Sequence, residues 1–497
     1  LPLAAATIPV TTTDPTVAAD GQCSLIEAIY NANGDAQVHA DCPAGSGADT
    51  IELASAATYE LDEVTVNFYG PNGLPIVGSA ITVEGHGSTI RRAAGAPAFR
   101  FFVVNSTGTL ALNDLTLEGG DSGPTHCGGA LLNAFGSTDL IRTTVTGSTA
   151  PSGGGLCNSS GPMTLTDCVV SLNTASAGDG GGLLSIDEVG TPTLDVDRTS
   201  VTSNSGVFGG GVATYDTNVV ISDSTINDNH VFSSTSFAFC GGLGMTGGTA
   251  EVNRSTISDN SAESLADLSG FGGGVCVSDN TTIISNSTIS GNEARGAATT
   301  GSMTGRGGGI HVIGGAWGVS PTVDTLLVLE NSTICDNMAE TVGGGISVYR
   351  YAGTMAVTVE LRNTIVAEND EGGGAVLGNC VEESPAVITS SDFNLVDDLT
   401  CNLIGTDDLI VADVMLAPLA DNGGPTWTHL PLTGSPAIDS GDDALCANAD
   451  QRGYIRPWDG DDDGQIHCDR GAVEHGAPFF YDGFETGNTS GWSNTVP

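Results

Sequence analysis

Apolar side chains recur along this chain at fixed distances before an asparagine. The unit VNRSTISDN (252–260) shows the pattern, and it returns as LTDCVVSLN (165–173), VDRTSVTSN (196–204), ISDSTINDN (221–229), ISNSTISGN (284–292), LENSTICDN (329–337) and LRNTIVAEN (361–369). Eight residues before the Asn stands Leu, Val or Ile. Three before it stand Val170, Val201, Ile226, Ile257, Ile289, Ile334 and Val366, and five before it a small residue: Cys168, Thr199, Ser224, Ser255, Ser287, Ser332 or Thr364. Strand side chains alternate with period two. Positions three and five share one parity, whereas position eight, with position ten (Leu194, Val219, Leu327, Val359), has the other. A corner must therefore separate two strands, and the polar run around Asp223 or Asn286 supplies it.

A glycine run follows each unit: GGGLC (153–157), GGGLL (180–184), GGGVA (209–213), GGLGM (241–245), GGGVC (272–276), GGGIH (307–311) and GGGIS (343–347). Beyond it Val275 and Val277, Ile310 and Val312, or Ile346 and Val348 alternate as a third strand. A repeat of three short strands and three turns, returning about every 27 to 36 residues, predicts an all-β solenoid in which each coil covers the apolar edge of the next. Each coil adds about 4.8 Å along the axis. The repeated Asn is expected to point inward as a ladder of stacked amides, a structural role without chemistry.

Composition narrows the function. The 497 residues hold 71 Gly, and 59 Asp and Glu stand against 13 basic residues, all Arg, for a formal net charge of −46. Nucleic acid and anionic lipid are poor partners for such a chain, because phosphate binding draws on Lys and Arg; cations are favoured. Twelve Cys without a CxxC pair or a Cys/His zinc spacing predict disulfides of an oxidising compartment, hence export. Cys157 and Cys276 share a register but lie four coils apart, roughly 19 Å, too far to pair. Cys23/Cys42, Cys380/Cys401 and Cys446/Cys468 are candidate local pairs. No apolar run approaches the roughly 18 to 20 residues of a membrane span, and the opening LPLAAA reads as the tail of a signal peptide or as a first strand.

Residues 1–61 depart from the repeat. Ser24 is a candidate N-cap with Glu27 three residues later, and Leu25, Ala28 and Ile29 share one face of a short helix. Such a segment would cap the first coil against edge pairing. The stretch CSLIEAI (23–29) resembles the CSLREA motif of exported bacterial β-helix proteins, with Ile26 where that family has Arg. Regular repeats run over 62–374, and 375–478 departs again. Its LAPLADNGGPTWTHLPLTGSPAIDSG (416–441) and DQRGYIRPWDGDDDGQIHCDRGAVE (450–474) resemble the C-terminal part of choice-of-anchor Q proteins. Together these resemblances imply an exported, right-handed parallel β-helix of the bacterial cell surface, often without assigned activity. The excursions at 230–240, 262–271, 293–306 and 314–325, holding Phe232, Phe237, Phe239, Phe271 and Trp317, are expected to project from one edge as a binding face. The aromatic tail 479–497 would dock on the last coil, serve as a sorting signal or add a strand to a neighbour.

The sharpest local motif is DGDDDG (459–464). Asp459, Asp461 and Asp463 alternate before Gly464, as in the first half of a calcium loop. The twelfth-position Glu is replaced by Arg470, and Asp469 comes one residue early, so Ca²⁺ held by Asp459, Asp461, Asp463 and Asp469 would be structural. A solvated acidic turn is the alternative. Gly85-His86-Gly87 is similar to part of the polygalacturonase signature but reads as a turn. Asp397/Asp398, Asp407/Asp408 and Asp442/Asp443 offer paired carboxylates, although neighbours on a strand face opposite ways. His126, His230, His311, His429 and His467 show no HxH or HExxH spacing, so neither a transition-metal site nor a Ser/His/Asp arrangement is expected, and Arg452 and Arg456 read as structural partners of the C-terminal cap. Two functions stand. The first is a non-catalytic extracellular or cell-surface solenoid for adhesion, display or matrix and filament assembly, calcium-stabilised, with a polysaccharide or protein partner or further copies of itself. The second is a carbohydrate-active lyase or hydrolase. A lyase needs basic side chains beside its acidic substrate; this chain has no Lys and repels polyuronates unless Ca²⁺ bridges them.

Overall fold

The corner demanded by the change of parity is one residue in the left-handed region. Asp167, Arg198, Asp223, Arg254, Asn286, Asn331 and Asn363, each six residues before the repeated Asn, have φ between 45° and 55° in the computed structural model of the chain. The model describes residues 5–188, 190, 192–265, 269–296, 305–315, 323–372 and 376–478. A second left-handed residue directly precedes each Asn: Leu172, Ser203, Asp228, Asp259, Gly291, Asp336 and Glu368. Asp and Asn tolerate this conformation better than other side chains, which explains the polar bias of both corners. The repeat pattern alone revealed only the first.

One coil thus runs Pro162–Thr166, corner, Val169–Ser171, corner, Leu183–Ile186, with a two-residue strand, Thr174–Ala175, just past the Asn. Equivalent strands stack parallel and in register. Val170, Val201, Ile226, Ile257, Ile289, Ile334 and Val366 form one continuous buried column. The strands on the glycine-run side make a ten-stranded sheet, and the molecule is an all-β parallel solenoid of about ten coils with one α-helix among the described residues.

The Asn ladder is present. The amide nitrogens of Asn173, Asn204, Asn229, Asn260, Asn292, Asn337 and Asn369 each donate to the next Asn oxygen at 2.9–3.0 Å, the last to Asn379. The ladder ends on the Asp397 carboxylate, 2.6 Å from Asn379 Nδ2. A hydroxyl ladder runs beside it, in which the backbone amide of each small residue meets the hydroxyl of the next: Cys168 to Thr199, Thr199 to Ser224, Ser224 to Ser255 and Ser255 to Ser287. The glycine runs are explained by the same contact. The first Gly needs positive φ (61° at Gly209), a Cβ on Gly210 would lie 2.4 Å from the Gly241 carbonyl oxygen, and one on Gly211 would lie 3.0 Å from the Asn229 amide. Cys240, at φ 61°, holds the first place of its triplet, which moves that coil's register one residue ahead of its first glycine.

At the N-terminal end Ser24 and Glu27 close a capping box on the helix Leu25–Gly34, whose Leu25, Ala28 and Ile29 are buried against the first coil. Stacking already begins within 1–61, because Thr7–Pro9 pairs with Asp49–Glu52 and that strand with Ala80–Arg92. Disulfides join Cys23–Cys42, Cys380–Cys401 and Cys446–Cys468 as expected, and Cys157 and Cys276 find nearer partners in Cys127 and Cys240. Cys168 and Cys335 are free and buried.

After Leu409–Ile410 the described chain adds no further strand to the stack. It folds back along the outer face of the short strands instead. Thr256 Oγ1 donates to the Trp427 carbonyl (2.6 Å), Thr288 Oγ1 to Gln451 Oε1 (2.6 Å), Ala472 N to Thr333 Oγ1 (3.1 Å) and Asn363 Nδ2 to the Asp469 carbonyl (3.1 Å). Thr256, Thr288, Thr333 and Ile365 are consequently buried, while Thr144, Val169, Ser200 and Thr225, in the same column of earlier coils, meet solvent.

Candidate cation sites

The uncovered part of the short-strand face carries Thr146, Ser171, Thr202 and Asn227 in one column and Thr116, Thr144, Val169, Ser200 and Thr225 in the other. Beside it a corner column alternates in charge. Arg198 Nε lies 2.7 Å from Asp167 and Arg254 Nε 2.7 Å from Asp223, and Arg142 lies beside Asp167. The remaining arginines are bound in the same local way: Arg91 to Glu60, Arg295 to Glu293, Arg306 to Glu383 and Arg362 to Glu360. Arg92, Arg100, Arg350 and Arg470 donate to backbone carbonyls.

Of the loop acids expected to bind a cation, the structure brings Asp459 and Asp461 together with Asp439, their carboxylate oxygens within 4.8 Å of one another. Asp439 Oδ2 accepts from the amides of Gly460 and Asp461, both at 2.9 Å, and Asp459 Oδ2 from Gly464 at 3.0 Å. Asp439 Oδ1 and Asp459 Oδ1 are shielded from solvent and accept no hydrogen bond. Asp463 lies outside this group and turns to the Gln465 amide at 2.8 Å. Asp469 lies deeper: its carboxylate accepts from the Asp439 amide at 2.7 Å, and burial, reinforced by Glu474, pushes its pKa up to about 8. Asp439, 20 residues before the loop motif and outside its spacing, was not singled out by the sequence reading.

The other sequence candidates take structural places. His86 sits in a left-handed turn, its Nε2 2.6 Å from Glu52. Asp397 ends the Asn ladder, Asp398 accepts from the Thr400 and Asn379 amides, and Asp408 from Asn394. Asp443 accepts from the Cys468 amide and faces His467 at 2.9 Å, and Asp442 accepts from Ala444. Arg452 holds Asp450 at 2.7 Å, and Arg456 donates to the carbonyls of Asp469 and Gly471. Phe239 stacks on Phe271 at 4.9 Å, and the Phe271 ring meets that of His311 at a tilt, 5.0 Å away, over the outer face of the ten-stranded sheet. Phe232 and Phe237 are exposed. Trp317 and the tail 479–497 lie outside the described residues.

His429, which showed no ligand spacing in sequence, meets Cys335 and Asp336 at the seam between the solenoid and the returning C-terminal segment. No local signal could reveal this, because the partners lie more than ninety residues apart. A cleft of about 740 Å³ beside the N-terminal helix is lined by Ile26, Tyr30, His39, Asp62, Glu63 and Thr65. Among the described residues no helix is long and apolar enough to cross a membrane.

No protein-family model and no curated protein matches the chain in sequence. A solved structure, the A-module of a mannuronan C-5 epimerase from Azotobacter vinelandii, matches with a TM-score of 0.32 and 14% identity over 80% of this chain and 98% of that one. At that level no functional residue is carried across.

Proposed function

We propose that this protein is an exported, calcium-stabilised, polyanionic β-solenoid that acts as a non-catalytic scaffold in adhesion, display or matrix assembly at a cell surface. One observation carries the reading. The scarce positive charge is consumed by local ion pairs and carbonyl contacts, which leaves a rigid rod with a large excess of carboxylates toward solvent. Such a surface gathers divalent cations and, through them, other anionic polymers. Five disulfides suit an oxidising compartment. The resemblance of CSLIEAI and of 416–474 to exported surface proteins points the same way.

Calcium would sit between Asp439, Asp459 and Asp461, where two shielded carboxylate oxygens have no donor. This ligand set keeps two of the four residues expected from the loop and replaces Asp463 and Asp469 by Asp439. The carbohydrate-active alternative requires opposed acids or a basic cluster on an open face, and the threonine and serine columns of the short-strand face supply neither.

Two measurements test the proposal. The purified chain should be retained on acidic polysaccharide in Ca²⁺ and released by EGTA, without new reducing ends or unsaturated uronate; formation of either product would overturn the scaffold reading in favour of the enzyme. EGTA should also lower the melting temperature of the wild type and leave that of Asp459→Asn/Asp461→Asn unchanged. Equal melting of the wild type with and without EGTA would remove the structural ion.

A further inference from the structure

We propose that Cys335, Asp336 and His429 form a binding site for a zinc-class divalent ion, with Glu368 or water as fourth ligand, that clamps the C-terminal segment onto the solenoid. The ligand atoms of the three residues lie within 4.8 Å of one another. They come from two places: Cys335 and Asp336 from the short strand and corner of one coil, His429 from the chain returning over that face. Thiolate, imidazole and carboxylate together are a donor set suited to zinc rather than to Ca²⁺ or Mg²⁺.

Three observations support the assignment. The first is the orientation of His429. Its Nδ1 lies 2.8 Å from the Ala417 carbonyl oxygen and must carry the proton there, so the Nε2 lone pair points into the cluster, where it accepts from the Ser290 hydroxyl at 2.8 Å. An imidazole held by a backbone carbonyl through one nitrogen, with the lone pair of the other turned toward the ligand cluster, is the usual arrangement of a metal-bound histidine.

The second is that packing does not call for a thiol at 335. The same outward column holds Ser171, Thr202, Asn227, Ser258 and Ser290 in the preceding coils and Ala367 in the next. A serine or alanine would fill the place. Cys168, the other free cysteine, is different: it stands in the hydroxyl ladder, where its Sγ lies 3.3 Å from the Leu140 carbonyl as a serine hydroxyl would.

The third is charge. Glu368 Oε2 lies 3.7 Å from Cys335 Sγ, Asp397 Oδ2 accepts from the Glu368 amide, and Asp336 Oδ2 is 4.0 Å from His429 Nε2. Among the described residues none of these carboxylates pairs with an arginine. A bound dication would relieve this accumulation of acids.

Zinc bonds of about 2.0–2.3 Å place tetrahedral ligands roughly 3.3–3.8 Å apart. Closure by about an ångström is within reach of Asp336, whose side chain is 50% exposed and provides the entry path. On binding, the Cys335 thiol gives its proton to water and the Ser290 hydroxyl turns from Nε2 to another acceptor.

Cobalt(II) added to the chelator-treated full chain under non-oxidising conditions tests this. The expected result is one equivalent of tetrahedral cobalt with a sulfur-to-metal charge-transfer band, displaced by zinc. The band should vanish in Cys335→Ser, persist in Cys168→Ser and in Asp459→Asn/Asp461→Asn, and require about tenfold more cobalt in Asp336→Asn, an exposed change that spares the fold. In the wild type, zinc should also slow alkylation of Cys335 but not of Cys168. Absence of the charge-transfer band from the wild type, its persistence in Cys335→Ser, or alkylation of Cys335 indifferent to zinc would each overturn the site.

Discussion

At the scale of single residues the repeat is a set of stereochemical solutions. The inward Asn uses its oxygen to accept both the backbone and the side-chain amide of the preceding coil, as Asn260 does toward Asn229 at 3.0 Å each. The opposing glycine is crowded on both sides, by the glycine carbonyl oxygen of the next coil and by that amide, which leaves no room for a side chain. Cys168 behaves as a serine of low polarity, and burial pushes its thiol up to about 11. His311 is fully buried, and neither ring nitrogen has a hydrogen-bond partner. Burial, aided by the neighbouring Arg306, lowers its pKa from 6.5 to about 3. The unfolded chain therefore takes up a proton that the folded chain refuses. The contribution of neutral His311 is complete above about pH 6.5 and is lost progressively as the pH falls toward 3. Denaturant melts of His311→Leu should be as stable as the wild type or more so at pH 7, and should lose several kcal/mol less between pH 6.5 and 4. Parallel pH profiles for the two proteins would refute this account.

At the scale of elements the coil and the C-terminal segment are held by different means. A coil is bonded to its neighbours through whole rows of backbone groups, whereas the returning segment is docked by scattered side chains. Gln451 is central to that docking. Buried, it accepts from Thr288 Oγ1 at 2.6 Å and donates to Thr256 Oγ1 and Thr426 Oγ1, both at 2.9 Å. Gln451→Leu strands the Thr288 hydroxyl, removes a donor from Thr256 and Thr426, which keep their bonds to the Trp427 and Arg254 carbonyls, and should cost about 1–3 kcal/mol locally. Hydrogen exchange should then quicken across 426–474 while the repeats keep their protection; uniform protection throughout would show that the segment is held by something else. At this scale the sequence was informative in proportion to repetition. The corner at Asp223, the ladder, the capping box at Ser24 and Glu27 and three disulfides were legible, because each is decided by residues close in the chain or equivalent in successive coils. The fold-back of 414–477 was not, since Thr256 and Gln451 meet across 195 residues without any periodic signal.

At the scale of the whole molecule, charge dominates. A net charge of −46 on a rigid body produces self-repulsion that neither folding nor local ion pairs removes. Raising salt from about 0.01 M to about 0.15 M shortens the screening length from roughly 30 Å to 8 Å. The melting temperature should rise by several degrees over that range, and sodium and potassium chloride should act alike. A salt-independent melting temperature would mean that the carboxylates are already neutralised by bound ions.

The sequence by itself determined the all-β repeat, the sites of its first corner, the inward Asn and the acidic balance, because alternation and left-handed turns leave a record in the spacing of neighbouring residues. The tertiary structure alone decided that the glycine run opposes the Asn ladder, that Cys127 and Cys240 are the partners of Cys157 and Cys276, and that Asp439 rather than Asp463 or Asp469 joins Asp459 and Asp461. It also decided that His429 lies against Cys335. These contacts depend on complementary shape and hydrogen bonding between segments far apart in the chain, which no local pattern of apolar and polar positions encodes.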